Sequence, residues 1–214
     1  MIPRTPLRDS VYGEILRRLH RGDLPPASRV RDAELAGQLG VSRTPVREAL
    51  LRMAREGVLQ SDAGKGFRVP PLATTEIKET GAILAELESL ALSLIPDPGP
   101  ALLDRLAGLA RQLEQTRGDA ARCIELDEEW HRAMLEQCPN DRLLRLITTL
   151  RQVPHRYLHA YMREAGRLSL STLYHGKILE ALRQGDRAEA VRQLRQRWRR
   201  GVEELVAWID RSGR

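Results

Sequence analysis

Leu39-Gly40-Val41-Ser42-Arg43-Thr44-Pro45-Val46-Arg47-Glu48-Ala49-Leu50 is the stretch that decides the fold. Gly40 ends one short helix, since glycine takes the left-handed conformation at a helix end without steric cost. Ser42 stands where the next helix needs a cap. That helix then opens with Arg43, Thr44 and Arg47 in its first turns. A helix N-terminus carrying arginines directs N–H groups and positive charge end-first, which suits phosphates and guanine edges. Two helices joined by so tight a turn, the second loaded in this way, make a helix-turn-helix with its recognition helix.

Upstream, apolar positions at Val11, Ile15, Leu16 and Leu19 predict a first helix over about 7–21, stopped by Gly22 and Pro25-Pro26. The second helix spans about 32–39 with Asp32 as its cap, and the third about 44–56, burying Val46, Leu50 and Met53. Val58 to Val69 then reads as two short strands around Asp62-Ala63-Gly64-Lys65-Gly66, a hairpin with a glycine-rich tip. Three helices and a hairpin make a winged helix-turn-helix at residues 1–70. Pro70-Pro71 opens a stiff linker over 71–74, because neither proline can extend a strand or enter a helix interior.

From residue 75 to 214 the only period is helical. Six helices are predicted, at about 75–95, 101–116, 120–137, 141–163, 168–184 and 187–211, with breaks such as Pro96-Asp97-Pro98-Gly99-Pro100, Pro139-Asn140 and Gly185-Asp186. The fold class is therefore mainly α: a winged head followed by an antiparallel six-helix bundle.

Composition narrows the function. A chain of 214 residues, 42% hydrophobic and 30% charged, has the balance of a globular protein with a real core. No stretch reaches the length and apolarity of a membrane span, and the N-terminus lacks the apolar segment of a signal peptide, so a cytoplasmic protein is expected. Cys123 and Cys138, set on one helix, would lie roughly 22 Å apart, too far for a disulfide. Of the net charge of +6, residues 1–70 carry +5, with 13 Lys and Arg against 8 Asp and Glu. The excess sits with the helix-turn-helix, as in a nucleic-acid-binding module. Eight aromatic residues in all offer few stacking platforms, which argues against a reader of single strands. The run Arg192 to Arg200 is also basic but lies on a terminal helix, and reads as a solvated face.

The stretch LGVSRTPVREALLRMAREGVL (39–59), preceded by ELAGQLG (34–40), resembles the GntR family of bacterial transcription regulators. LDEEWHRAM (126–134), Asn140 and YHGKILEALRQGD (174–186) resemble the all-helical ligand-binding FCD domain of its FadR branch. Six helices rather than seven would match the VanR-like subgroup. The resemblance implies a homodimer on a short palindromic double-stranded operator, with a small organic acid as effector. It implies operator contacts by Ser42, Arg43, Thr44 and Arg47, and by Gly64 and Lys65 at the wing tip. Ala33 departs from relatives that carry arginine in the second helix, so operator sequence does not transfer from them.

Ile124, Asp127, His131 and Leu135 fall on one helical face, the apolar one, where an acid and an imidazole need a partner. His175 lies in the middle of a second such face with Leu168, Thr172, Ile178 and Leu182. A carboxylate and neutral imidazoles converging in a bundle make a candidate site for a divalent metal, zinc or similar. Many relatives bind a metal with one Asp and three His; Asp127, His131 and His175 match three positions, and Arg197 stands at the fourth. A guanidinium has no lone pair to donate. Three readings stay open: a three-ligand metal site; a metal-free pocket in which Arg197 pairs with Asp127 and an anionic effector binds; or structural polar residues. Leu84 stands where relatives often carry an effector-gripping arginine, a role Arg197 would take over. His155 and His159, four apart beside Pro154, are a weaker metal pair. The alternative function is a metal-dependent hydrolase with a DNA-targeting domain.

Overall fold

The computed structural model describes residues 7–62, 66–116, 119–165 and 173–212, in two compact units that divide between Leu72 and Ala73. In the first unit, α1 (Leu7–Arg21), α2 (Asp32–Leu39) and α3 (Arg43–Arg55) enclose a core that includes Val11, Ile15, Leu35, Val46, Leu50 and Met53. Gly40 closes α2 at φ 65°, the left-handed conformation expected of it, and returns its backbone N–H to Ala36 and Gly37. The wing consists of β2 (Gln60–Asp62) and β3 (Gly66–Arg68), paired antiparallel with Ser61 opposite Phe67. The expected wing-tip residues Gly64 and Lys65 lie outside the described residues.

Two local expectations are corrected here. A third strand, β1 (Arg29–Val30), pairs with β3 and gives the order β1-β3-β2. Two residues are too short to register an alternating pattern, yet Val30 and Phe67 face each other, both buried. Asp32, expected to cap α2, is instead its first helical residue, and Arg31 holds the N-cap position without a side-chain cap bond.

The second unit is helical throughout its described residues: α4 (Thr74–Ser93), α5 (Gly99–Gln115), α6 (Ala120–Leu135), α7 (Asp141–Leu150), α8 (Gln152–Ala165), α9 (Tyr174–Arg183) and α10 (Arg187–Arg211). Asp119, Asn140 and Asp186 cap α6, α7 and α10, each accepting the backbone N–H three residues on. The single helix expected over 141–163 is two, so the described bundle has seven helices rather than six. The cause is Pro154, which has no N–H for the Leu150 carbonyl and whose ring crowds it, breaking the run at Arg151. Leu168 and Thr172, assigned to the His175 face, lie outside the described residues.

Helix α4 packs chiefly along α10. At Gly81 the contact is tight: a Cβ there would stand 2.3 Å from Val202 Cγ2. The start of α4 is unusual, because Ala73 at its N-cap has no side chain to cap with. The buried Tyr157 hydroxyl of α8 does so instead, accepting the Ala73 N–H at 3.0 Å and lying 3.1 Å from the Ala73 carbonyl. Its other neighbour is Glu76, which also pairs with Arg156. No helix among the described residues is long and apolar enough to cross a membrane.

Candidate nucleic-acid interface and effector site

On the first unit, Arg43 and Arg47 stand one turn apart at the start of α3, their side chains 66% and 61% exposed. Both reach back to Asp32, whose side chain is only 13% exposed: Arg43 Nη2 to Oδ1 is 3.0 Å and Arg47 Nη1 to Oδ2 is 3.3 Å. One mostly buried carboxylate thus holds two exposed guanidiniums side by side. Ser42 takes the N-cap position of α3 but makes no side-chain cap bond, against expectation. Thr44 is exposed beside it. The surface combines helix N–H groups, a hydroxyl and two arginine forks, a set that grips phosphates and reads base edges.

In the second unit, Asp127, His131 and His175 do come together, and each is buried. The chain brings them there because Ile124, Leu135 and Ile178 on the same faces are themselves buried. His175 Nε2 lies 3.1 Å from Asp127 Oδ1 and 3.4 Å from His131 Nε2. His131 Nε2 is 4.0 Å from the same carboxylate oxygen. The point equidistant from these three atoms lies about 2.1 Å from each, an ordinary zinc–nitrogen or zinc–oxygen bond length. The donors therefore fit a small divalent ion.

Arg197 is the departure. It is 7% exposed, and its Nη2 lies 3.0 and 2.9 Å from the two Asp127 oxygens. It belongs to the basic run 192–200 that reads as a solvated face. Arg192, Arg195 and Arg200 are indeed exposed and paired with Glu189, Glu86 and Glu203, whereas Arg197 turns inward.

The sequence reading missed the second carboxylate. Glu88 of α4 is fully buried and gathers three groups: Arg151 Nε donates at 2.6 Å, Trp198 Nε1 at 2.9 Å, and His131 Nδ1 lies at a long 3.5 Å. A carboxylate behind a metal-ligating histidine fixes its tautomer and orientation. A signal was available, since Glu88 shares the spacing of the buried Ile77, Gly81, Leu84 and Ala91. His155, read with His159 as a weaker metal pair, is itself buried, with Nδ1 2.9 Å from Glu128.

The charges explain one another. Burial alone would raise the Glu88 and Asp127 pKa values, but Arg151 beside one and Arg197 beside the other hold both well below the carboxylate range. Burial also pushes the His131 and His175 imidazoles below their usual value; Arg197 and Arg151 add to this, while Glu88 and Asp127 oppose it. The centre is therefore two carboxylates against two guanidiniums around two neutral imidazoles. Beside it lies a cavity of about 40 Å³ whose polar lining is Asp127, Arg151, His155 and Arg197, with Trp198 and Val202 among its apolar walls. His131 and His175 do not line it.

Residues 7–69 match the gntR family of bacterial regulatory proteins, and residues 79–200 match the FCD domain. The chain is 27% identical over 157 residues to YdhC, an HTH-type transcriptional regulator of Bacillus subtilis, covering 71% of this chain and 69% of that one. It is 32% identical over 143 residues to the HTH-type transcriptional regulator McbR of Escherichia coli, covering 65% of each. The structure of E. coli McbR/YncC superposes with a TM-score of 0.83 at 28% identity, over 94% of this chain and 98% of that one. These relatives are regulators, and none supports the hydrolase alternative. The chain belongs to the GntR family, joining a gntR-type helix-turn-helix to an FCD domain, and is a DNA-binding transcription regulator rather than an enzyme.

Proposed function

We propose that this regulator is a repressor that binds a palindromic operator as a homodimer and is controlled by a small carboxylate-bearing effector in its helical domain. The single observation that carries the DNA side is the pair Arg43 and Arg47, exposed at the start of α3 and aligned by Asp32. In this reading the two arginines contact base edges, Ser42 and Thr44 the phosphates, and Gly64 and Lys65 the minor groove from the wing tip. Two such helices about a two-fold axis would enter successive major grooves. Placement in the VanR-like subgroup rests on the sequence resemblance, and the seven described helices of the second unit do not add to it.

On the effector side, Asp127, His131 and His175 would hold a divalent ion, zinc or similar, with Glu88 orienting His131. When bound there, the ion would offer a carboxylate an electrophilic centre. The protein's own residues divide the remaining work. Arg197 holds Asp127 in place, and Trp198 and Val202 give the cavity its apolar walls.

The test is fluorescence anisotropy on a duplex selected from a randomised pool, beside a scrambled duplex. Arg43→Ala is expected to weaken specific binding by roughly 5- to 150-fold, the worth of one bidentate guanine contact at ~1–3 kcal/mol. Non-specific binding should fall by much less. Equal losses on both duplexes would remove Arg43 from base reading.

A further inference from the structure

Two buried cations beside the cavity have donors with nothing to donate to. Arg151 spends Nε on Glu88, and its Nη2 is buried without a hydrogen-bond partner. Arg197 spends Nη2 on Asp127, and its Nε is likewise buried without one. Their side chains are 10% and 8% exposed, and both line the same cavity. They also share a platform, with Arg151 Cζ 5.9 Å and Arg197 Cζ 5.5 Å from the centre of the Trp198 ring. A buried guanidinium N–H left unpaired is costly, and an anionic acceptor is the partner that repays it most.

We infer that Arg151 and Arg197 form an anion clamp, and that the effector is a compact oxyanion seated between them independently of any metal. The inference deepens the effector reading above and rests on it. Several features set the class of ligand. A cavity of about 40 Å³ accepts roughly three or four heavy atoms, the size of a short carboxylate rather than an acyl chain. Asp127 also faces the cavity and would repel an anion, but Arg197 already engages both of its oxygens. The two histidines lie outside the lining, so the ligand reaches the clamp without displacing either. A divalent ion on Asp127, His131 and His175 would add positive charge behind the clamp and tighten it, without being required.

The experiment uses the full-length, chelator-treated protein and sodium acetate as probe, titrated by calorimetry at constant ionic strength against sodium chloride. It is repeated with added zinc, and in Arg151→Lys and Arg197→Lys, which keep the charge but lose the second donor. Acetate should bind the metal-free wild type and bind each lysine variant at least about ten-fold more weakly, the loss of one charge-assisted hydrogen bond. In case a variant fails to fold, the arginine Nε–H resonances of the wild type give a direct reading. The Arg197 Nε–H signal should move as acetate is added. Binding seen only with zinc, binding unchanged in both variants, or a stationary Arg197 signal would each overturn the clamp. No DNA is present in this titration. Acetate bound at the clamp with no effect on operator affinity would therefore sink effector control and leave the clamp standing.

Discussion

Asp32 shows how one residue can serve the free protein and be given up in the complex. Its pairs with Arg43 and Arg47 join a mostly buried acid to two exposed bases, and exposed ion pairs are worth about 0–1 kcal/mol each. A guanine contact at ~1–3 kcal/mol outbids that, so the arginines can leave Asp32 when DNA arrives. Asp32→Asn should therefore raise non-specific affinity by up to about five-fold, by removing a negative charge from the DNA-facing surface. It should also narrow the ratio of specific to non-specific binding, because the forks lose their common alignment. Anisotropy over a salt series on matched and scrambled duplexes reads both quantities, and an unchanged ratio would deny Asp32 an aligning role. The arginines themselves were legible in the sequence, from their place after Ser42. Their tie to Asp32 was not, because it depends on how the turn at Gly40 folds α2 back toward α3. Glu88 repeats the lesson: its buried position could be read from helical spacing, but its partners Arg151 and Trp198 stand 63 and 110 residues away.

Among the elements, the α4–α10 pair is the seam on which the bundle depends. Gly81 permits it, since any side chain there meets Val202. In an exposed helix, alanine for glycine gains about 1 kcal/mol from propensity. Here a Cβ placed 2.3 Å from Val202 Cγ2 forces either that side chain or the helices to shift, and overpacking of this kind costs ~1–3 kcal/mol. Gly81→Ala is thus expected to destabilise in denaturant unfolding, and Val202→Ala in the same chain to restore most of the loss. A Gly81→Ala protein as stable as the parent would mean that the seam yields. Helix positions and stops were mostly legible, because capping residues and Pro/Gly clusters act locally. The break at Arg151 was half legible: Pro154 announced a disturbance, but whether it bends or divides a helix depends on what packs around it. β1 was silent, since its two residues become a strand only by finding β3.

For the molecule as a whole, charge is distributed unevenly in depth as well as along the chain. The head carries its excess of basic residues toward solvent, and the sequence alone exposed that asymmetry. The helical unit instead buries Glu88, Asp127, Arg151 and Arg197 around two neutral histidines, a centre assembled from helices far apart in sequence. Acid should attack that unit in two stages. The pKa values of His131 and His175 are depressed on folding, so their contribution is complete above the unfolded value near 6.5 and is lost as pH falls toward the folded values. The pKa values of Glu88 and Asp127 are depressed too, and their contribution drains away once pH falls below about 4. Calorimetric scans from pH 8 to pH 3 should show the helical unit's Tm declining first below about pH 6.5 and more steeply below about pH 4. A Tm that stays level between pH 7 and pH 5 would contradict the buried neutral imidazoles. The hydroxyl of Tyr157 at the start of α4 has a consequence for synthesis. The last strand of the head ends at Arg68, whereas the cap for the helix that follows comes 84 residues after Ala73. A ribosome therefore releases the whole head long before the helix leading out of it can be finished. Nascent chains stalled before residue 157 should present a folded DNA-binding head on an unanchored stem.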